Sequence, residues 1–465
     1  MKNHAKKLLT ALTLTVLVFQ HTACNKHEER LKIAEEAYLY ALPLVIMDLT
    51  QKVETNVFER DGIIVGAPIN QFSHRRTTAT AEDRNVIRLN VDTLYSFGWL
   101  DLSGGPVIFS KPATDFYATV AVLDAYTNCY NVLGTGGLGG NGAAVYAIQG
   151  PGYEGDIPPG SIRVSMPTNM VWMMGRLEYN DNLPELHAAQ DAFSLVPLSE
   201  YGNPDFVQPE GVFNPEYLFE PFQVIQEMDI ETFFNTFNEL ALANPGTDAD
   251  KPALERFAKL GIGPGLVFSL DSFPSETKEA LLNVPLSSIK SLVNLSNGHN
   301  VKGWDFQENT LARYGTDYEF RAAVALFGLG ANPVDMAVYL LAIVDTNLEV
   351  LDGQYNYQIH FEAGQLPPND AFWSITAYDI DGFLIPNEHN KHAIRGRDNF
   401  VISRNGIVTF YLQYETPRDD LLANWLPIPL DIFQLTLRIY LPSQSVMDGT
   451  WEPPLIERSC CLASF

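Results

Sequence analysis

Residues 433–440 read FQLTLRIY, and apolar and polar side chains alternate along this stretch. Similar alternation occurs in residues 371–378 (AFWSITAY) and 407–414 (IVTFYLQY). A period of two is typical of β-strands, because successive side chains point to opposite faces of a sheet. The turn signals Asp381-Gly382 and Asn405-Gly406 lie between these runs. The pattern predicts antiparallel strands in the C-terminal part of the chain.

A second β-rich stretch extends from about residue 63 to residue 178. Its short runs, such as 106–109, 117–123 and 161–164, are rich in Val, Ile, Tyr and Thr and alternate with Gly, Pro, Asn and Asp. Strands at this spacing, without intervening helices, predict a second antiparallel sandwich or barrel.

Helical periodicity is found before the first β stretch and between the two β stretches. Apolar residues at three-four spacing predict a helix over 28–58, with a kink or a break at Pro43. Between the two β stretches the pattern becomes helical, and Asp229 is expected to cap a phenylalanine-rich helix. The sequence therefore predicts a mainly β fold with a helical block.

These patterns predict six segments. In order they are a signal peptide (1–23), a helical segment (24–62), a β-sandwich (63–184), a helical block (185–335), a second β-sandwich (336–458) and a tail (459–465).

The first 24 residues have the three parts of an export signal. Three lysines within residues 2–7 precede the largely apolar run 8–19, and small residues then lead to Cys24. The ending resembles a lipoprotein cleavage box, so we expect Cys24 to carry lipid; ordinary signal cleavage is the alternative. The expected location is the periplasmic side of the cell envelope, with a lipid anchor as the only attachment to the membrane.

The net charge of −26 makes a nucleic-acid groove improbable, because such grooves depend on clustered Lys and Arg. The glycine-rich residues 134–139 are followed by a strand-like run rather than the helix that a dinucleotide site requires, so no organic cofactor is expected. A small anionic molecule is the expected partner, and a second copy of the chain is a further candidate partner.

Basic residues are scarce in this chain, yet they cluster twice. Guanidinium groups match phosphate and carboxylate oxygens, so the clusters indicate an anion site; ion pairs across a domain interface are the alternative. The two clusters comprise residues 74–76 with Arg84 and Arg88, and Lys391 and His392 with Arg395 and Arg397.

Several polar residues lie near apparent strand ends. In an extended strand, Arg88, Asn90 and Asp92 project from one face. The oxygens of Asn90, Asp92, Asp124 and Asn128 suit a hard cation, Mg²⁺ or Ca²⁺; Asn and Asp side chains that cap turns are the alternative.

Two sets of short motifs resemble those of a known family. The first set comprises 90–96, 100–103, 124–128, 150–155 and 167–172, with Arg176. The second comprises 351–357, 366–368, 371–374, 424–427, 437–440 and 449–451. These motifs resemble the first and second modules of bacterial DUF1254/DUF1214 proteins. The resemblance implies an immunoglobulin-like antiparallel first sandwich, a helical middle and a jelly-roll-like C-terminal sandwich. It also implies metal-assisted phosphomonoester hydrolysis on inositol polyphosphates.

Two functions are therefore considered. The first is an exported hydrolase that acts on a polyphosphorylated small molecule with the help of a cation. The second is a non-enzymatic envelope protein that binds a sugar, a lipid or a protein. For the hydrolase, the candidate catalytic residues are Asp92, Arg88 and Tyr95, the ligand-binding residues are Asn90, Asn128, Arg176, Lys391 and Arg395, and the metal ligands are Asp92 and Asp124.

Overall fold

The structure, a computed structural model, gives side chains from Lys26 onward and describes residues 2–58, 66–84, 87–293, 300–306 and 309–459. Over these residues, twenty strands form four sheets and nine α-helices accompany them. This agrees with the coarse prediction of a β-rich chain with a helical block. The Cys24 side chain and most of the predicted tail lie outside the described part.

The first β region contains two sheets. The larger has the strand order β1-β2-β9-β4-β5-β6 and the smaller β10-β3-β7-β8. Neighbouring strands are antiparallel except for the pairs β5–β6 and β7–β8. The strands are β1 (Phe72–His74), β2 (Thr93–Asp101), β3 (Val107–Lys111), β4 (Ala118–Asp124), β5 (Cys129–Gly134), β6 (Leu138–Gly139), β7 (Ala144–Gln149), β8 (Ile162–Ser165), β9 (Met170–Glu178) and β10 (Ser194–Pro197).

The second β region repeats this arrangement. Its larger sheet has the order β11-β12-β13-β19-β15-β16 and its smaller sheet β18-β17-β14-β20. Only β17 and β18 are parallel neighbours among these described strands. The strands are β11 (Asn300–Val301), β12 (Trp304–Phe306), β13 (Ala337–Ala342), β14 (Asn356–Phe361), β15 (Trp373–Asp379), β16 (Ala393–Arg395), β17 (Val408–Gln413), β18 (Trp425–Pro427), β19 (Phe433–Tyr440) and β20 (Ile456–Ser459).

The helical block has shorter limits than predicted. β10 lies within the segment expected to be helical, but it pairs with β3; β11 and β12 lie there too, and they extend the second large sheet. The helices are α1 (Lys2–Glu54), α2 (Leu183–Asp191), α3 (Pro221–Glu227), α4 (Ile230–Ala243), α5 (Lys251–Ala258), α6 (Ser275–Leu281), α7 (Val284–Val293), α8 (Tyr318–Phe327) and α9 (Gln444–Met447). Among the helices of the described residues, none combines the length and the apolar content needed to span a bilayer.

Helix α1 is the centre of the largest apolar core. Leu44 and Tyr38 of α1 pack with Phe233 and Phe237 of α4, and this core also contains Trp172 from the outer face of the first large sheet. Asp229 accepts a hydrogen bond from the Thr232 N–H at 2.9 Å and caps α4 as predicted. The helical block thus covers one face of the sheet, while the smaller sheet covers the other.

The predicted interruption at Pro43 does not divide α1, which continues through this residue. Proline removes one backbone hydrogen bond. Its neighbours Leu42 and Leu44 are both 0 % exposed. Burial on every side of the helix stabilises it there more than the lost hydrogen bond destabilises it.

We predict that Leu44→Ala lowers the free energy of unfolding by about 2–5 kcal/mol, because it leaves a cavity where α1 meets the core. The matched control is Glu35→Ala on the exposed side of the same helix, which should change stability by less than about 0.5 kcal/mol. Urea unfolding followed by circular dichroism measures both. Equal effects of the two substitutions would contradict the central position of α1.

Candidate functional site

The second large sheet buries both of its faces. In β19, Leu435 belongs to the apolar core, while the alternate residues Gln434, Thr436 and Arg438 are polar and also buried. Buried polar groups require hydrogen-bond partners. Many of these partners come from residues 87–92, the turn that precedes β2.

The central contact is an ion pair between the two β regions. Register places Arg395 of β16, Ser374 of β15 and Arg438 of β19 side by side. The Asp92 carboxylate accepts hydrogen bonds from Ser374 Oγ and, at 3.2 Å, from Arg395 Nε. Arg395 also donates to the Val91 carbonyl at 3.1 Å. The Asp92 side chain is 1 % exposed and that of Arg395 is 23 % exposed.

Arg88 and Asn90 contact the same sheet. Arg88 donates through Nε to Gln434 Oε1 at 2.9 Å, and its carbonyl accepts a hydrogen bond from Arg438 Nη2 at 2.8 Å. Asn90 donates to the Tyr440 hydroxyl. The backbone of Arg88 has a φ of 53°, so this segment is a turn rather than the expected strand. The structure nevertheless brings Arg88, Asn90 and Asp92 together.

Tyr95 and Arg176 form a neighbouring group. They are paired across β2 and β9, and Arg176 Cζ lies 5.5 Å from the centre of the Tyr95 ring. Arg176 is buried and donates to Asn332 Oδ1 at 2.8 Å, while Asn332 donates to the Tyr339 hydroxyl at 2.9 Å. Tyr339 in turn is paired with Arg438 in the second large sheet. Arg176 therefore connects the two β regions through a hydrogen-bond network.

Asp124 lies at the opposite end of β9 from Asp92. In the strand pairing, Asp124 faces Val171, whereas Thr93, the residue after Asp92, faces Glu178. The seven-residue step from Val171 to Glu178 spans about 23 Å of extended strand. One ion cannot contact both carboxylates, so the structure does not bring the two predicted metal ligands together.

Asp124 and Asn128 instead close a turn. The Asp124 carboxylate accepts hydrogen bonds from the backbone N–H groups of Tyr126 and Asn128, at 2.9 and 2.8 Å, and from Asn128 Nδ2. Burial raises the pKa of Asp124 to about 6, although the hydrogen bonds from Asn128 oppose this. Within the part of the chain that the structure describes, no group of three or more His, Cys, Asp or Glu side chains is placed to hold a metal ion.

Three arginines of the first basic cluster form ion pairs; pairing across the domain interface was the alternative to an anion site. The Arg84–Asp379 pair, at 3.5 Å, joins the two β regions. The other pairs are Arg75–Asp83 and Arg76–Asp191.

The second basic cluster, except Arg397, lines a cleft of about 450 Å³ between the two β regions. Residues 78–80 and Val91 contribute from the first region, and the remaining lining comes from the second. The basic lining residues are His389, Lys391, His392 and Arg395, and Asp398 is the acidic residue among the described lining. Tyr95, Arg176 and Asn128 do not line this cleft.

Lys391 and Arg395 retain donors for a ligand. Lys391 Nζ donates to the carbonyls of Leu422 and Ala423, at 3.0 and 3.3 Å, which accounts for two of the three protons on an ammonium group. Burial lowers the pKa of Lys391, an effect that Asp398 opposes and Arg395 strengthens. Arg395 uses its Nε and one Nη2 proton toward Asp92 and Val91, so three of its five N–H groups are not committed by these bonds.

His392 is buried at the cleft and is 9 % exposed. Neither ring nitrogen reaches hydrogen-bond geometry with a described residue. Burial lowers the pKa of His392 from its ordinary value; the Ile385 backbone and Glu82 oppose this shift, and Arg395 adds to it. The imidazole is therefore neutral at pH 7. His389 is exposed and contacts the Trp425 ring edge-on.

Two residues that the sequence analysis missed shape this cleft. Asn387 Oδ1 accepts from the backbone N–H groups of His389 and Lys391, at 3.2 and 3.0 Å. Asp398 accepts the Arg395 backbone N–H at 2.8 Å. An asparagine that bonds to N–H groups two and four residues later is a recognised turn signal, so the Asn387 loop could have been found. Ser374 and Arg438 could have been found from the alternation of polar and apolar residues in their strands.

We predict that Arg395→Met destabilises the protein by about 3–5 kcal/mol, because it leaves the Asp92 carboxylate buried without its countercharge. The double variant Asp92→Asn/Arg395→Met should recover a substantial part of this loss. The matched control is Arg397→Met, whose ion pair with Glu178 is more exposed and should contribute no more than about 1 kcal/mol. Urea unfolding measures these variants and the single variant Asp92→Asn, which completes the double-mutant cycle. Additive effects of the two substitutions would show that Asp92 and Arg395 are energetically independent.

Comparison with known proteins agrees with this two-region organisation. The family described as protein of unknown function (DUF1254) matches residues 69–197, which contain β1 to β10. The family described as protein of unknown function (DUF1214) matches residues 336–444, which contain β13 to β19. No curated protein matches the chain.

Solved structures extend the comparison. The crystal structure of the VPA0106 protein from Vibrio parahaemolyticus has a similar fold, with a TM-score of 0.67 and 21 % identity over 92 % of this chain and 100 % of that chain. A crystal structure of an uncharacterised protein from Burkholderia cenocepacia gives a TM-score of 0.45 and 12 % identity over 95 % of this chain and 97 % of that chain. With both regions matched, the chain is a DUF1254/DUF1214 domain-containing protein.

Proposed function

We propose that the cleft between the two β regions binds a small anionic molecule through a phosphate or carboxylate group. The observation that carries this proposal is the pairing of Lys391 and Arg395, both with uncommitted N–H groups, on one cleft wall. The acidic residue of the lining, Asp398, already accepts a backbone hydrogen bond. The chain as a whole has a net charge of −26, so a cleft lined by basic side chains attracts an anion more than the rest of the protein does.

The chemistry of these side chains favours oxyanions. A guanidinium presents a planar fork of donors that matches two oxygens, and an ammonium adds a point charge. Thr78 lines the cleft from the first region and can supply a hydroxyl group, whereas the Thr80 hydroxyl donates to Asp83 at 3.2 Å. His392 can accept a proton when an anion arrives, which would add a third positive group.

We also propose that each pair of sheets is a β-sandwich, immunoglobulin-like in the first region and jelly-roll-like in the second. Support comes from the apolar core that each pair encloses and from the mostly antiparallel pairing. The anion would then bind where two sandwiches meet.

The residues do not fit the Mg²⁺ or Ca²⁺ ion that the family resemblance implies. The Asp92 oxygens are committed to Ser374 and Arg395, so the carboxylate is already neutralised by a cationic partner. Those of Asp124 are committed to its own turn. A hard cation needs several free oxygen ligands, and we derive no catalytic step through a metal.

Phosphomonoester hydrolysis is a second candidate function, and His392 favours it. A neutral imidazole with unpartnered nitrogens, beside Lys391 and Arg395, could take a proton from a water that attacks phosphorus while the cations hold the phosphate. The ester P–O bond breaks as the new P–O bond forms; the leaving oxygen takes a proton from water and departs as the alcohol, and the imidazolium returns its proton to solvent. The sequence analysis proposed Asp92 as the catalytic carboxylate. Because the Asp92 carboxylate is hydrogen-bonded to Arg395, it would position the Arg395 guanidinium instead.

For the cellular location, we propose export to the periplasmic side of the envelope and a lipid anchor on Cys24. The basic, apolar and small-residue order of the first 24 residues supports this.

We predict that Lys391→Gln weakens sulfate binding by about 10- to 100-fold, the contribution of a charge-assisted hydrogen bond. Isothermal titration calorimetry measures the Kd, with Arg404→Gln, an exposed arginine outside the cleft, as the matched control. A bound anion raises the lowered pKa of His392, so wild-type affinity should increase as pH falls from 8 to 6, by no more than about tenfold per pH unit. Sulfate does not titrate in this range. Unchanged binding by Lys391→Gln would contradict the proposed anion site.

For hydrolysis, a phosphate-release screen over inositol phosphates, nucleotides and sugar phosphates, with and without divalent metal, should find at least one substrate. We predict that His392→Gln then lowers kcat by about 100-fold or more, as expected for loss of a general base, while sulfate binding at pH 8 is retained. Absence of phosphate release from a protein that still binds sulfate would assign the cleft to binding alone.

A further inference from the structure

Helix α7 carries apolar side chains that are largely exposed in the described structure. Leu286 and Val293 are 57 % and 67 % exposed, and Ile289 lies between them, partly buried against the largest apolar core. Residues three, four and seven apart share one face of a helix. Leu282, in the turn before α7, is 54 % exposed and adds to this surface. We call these four residues the α7 stripe.

The stripe lies near the end of α1 that leads to Cys24. Both α6 and α7 contact α1. His27 Nδ1 lies 2.9 Å from Thr277 Oγ1 of α6, and the Arg30 guanidinium lies 5.8 Å from the Phe273 ring just before α6. Cys24 precedes His27 by only three residues. Acyl chains on Cys24 would therefore enter a membrane close to α6 and α7.

The other end of α1 provides a reference. From His27 to Glu54 the helix rises about 40 Å. At that far end, the Gly211 N–H donates to the Phe58 carbonyl at 2.7 Å, and the next residue, Val212, is 80 % exposed. The described part of the chain therefore has exposed apolar side chains near both ends of α1, and the α7 stripe lies near the Cys24 end.

We propose that the α7 stripe rests on the lipid surface to which Cys24 is anchored. This inference relies on the lipid anchor proposed above. An apolar surface beside a lipid anchor adds buried apolar area to the contact with the membrane, and this strengthens attachment. Ser287 and Ser291 flank the stripe and are exposed, which suits the headgroup level rather than a dry protein interface. The contact would orient α1 with its Cys24 end toward the bilayer.

The experiment uses the full chain in isolated membranes of a Gram-negative host, with Cys460 and Cys461 replaced by Ser. An environment-sensitive fluorophore is attached at Leu286→Cys or, as the matched control, at Val212→Cys; the remaining Cys129 is buried. Quenching by nitroxide-labelled lipid and by aqueous iodide is compared. We expect lipid quenching to be about threefold or more stronger at position 286, because the side chain contacts the acyl boundary.

The outcomes separate the two proposals. Lipid quenching at position 286 but not at position 212 supports the α7 contact. Equal iodide quenching at both positions in membrane-bound protein overturns the contact but leaves the anchor intact. If wild-type protein is not found in membranes, or if Cys24→Ala protein is retained there equally, the anchor proposal fails. The α7 contact, which depends on it, then fails as well.

Discussion

The buried ion pair between Asp92 and Arg395 determines how the two β regions meet. Asp92 lies in a turn of the first region, while Arg395 and Ser374 belong to adjacent strands of the second. A carboxylate removed from water is tolerated only while its partners stay in place. The ion pair therefore restricts the relative position of the sheets more strictly than apolar contact could. Arg88 and Asn90 add hydrogen bonds on the same side of the turn.

Much of the fold could be predicted because strand periodicity is a local property. The alternation in 433–440 reports β19, and the same pattern reports β15 and β17. The limits of the helical block could not be predicted in this way. β10 and β12 have only four and three residues and become strands by pairing with β3 and β13, which are distant in sequence. Likewise, the continuity of α1 through Pro43 depends on packing from elements that are remote in sequence.

The candidate site was predictable to the extent that it depends on neighbours in sequence. Arg88, Asn90 and Asp92 do lie together, because they share one short turn. The structure does not bring Asp92 and Asp124 together, because the antiparallel register of β9 separates them by the length of a strand. The sequence also could not show which of the two basic clusters keeps side-chain N–H groups free for a ligand. Arg75, Arg76 and Arg84 have nearby carboxylates, whereas Lys391 bonds to backbone carbonyls.

Arg395 belongs both to the junction and to the cleft, and this shared position has a mechanical consequence. Its guanidinium can hold an anion with N–H groups that Asp92 does not use. An occupied cleft would therefore tie Thr78 of one β region to Lys391 of the other through the ligand itself. Ligand occupancy would then limit motion of one region relative to the other. Binding of an anion could therefore make the protein stiffer without changing its shape.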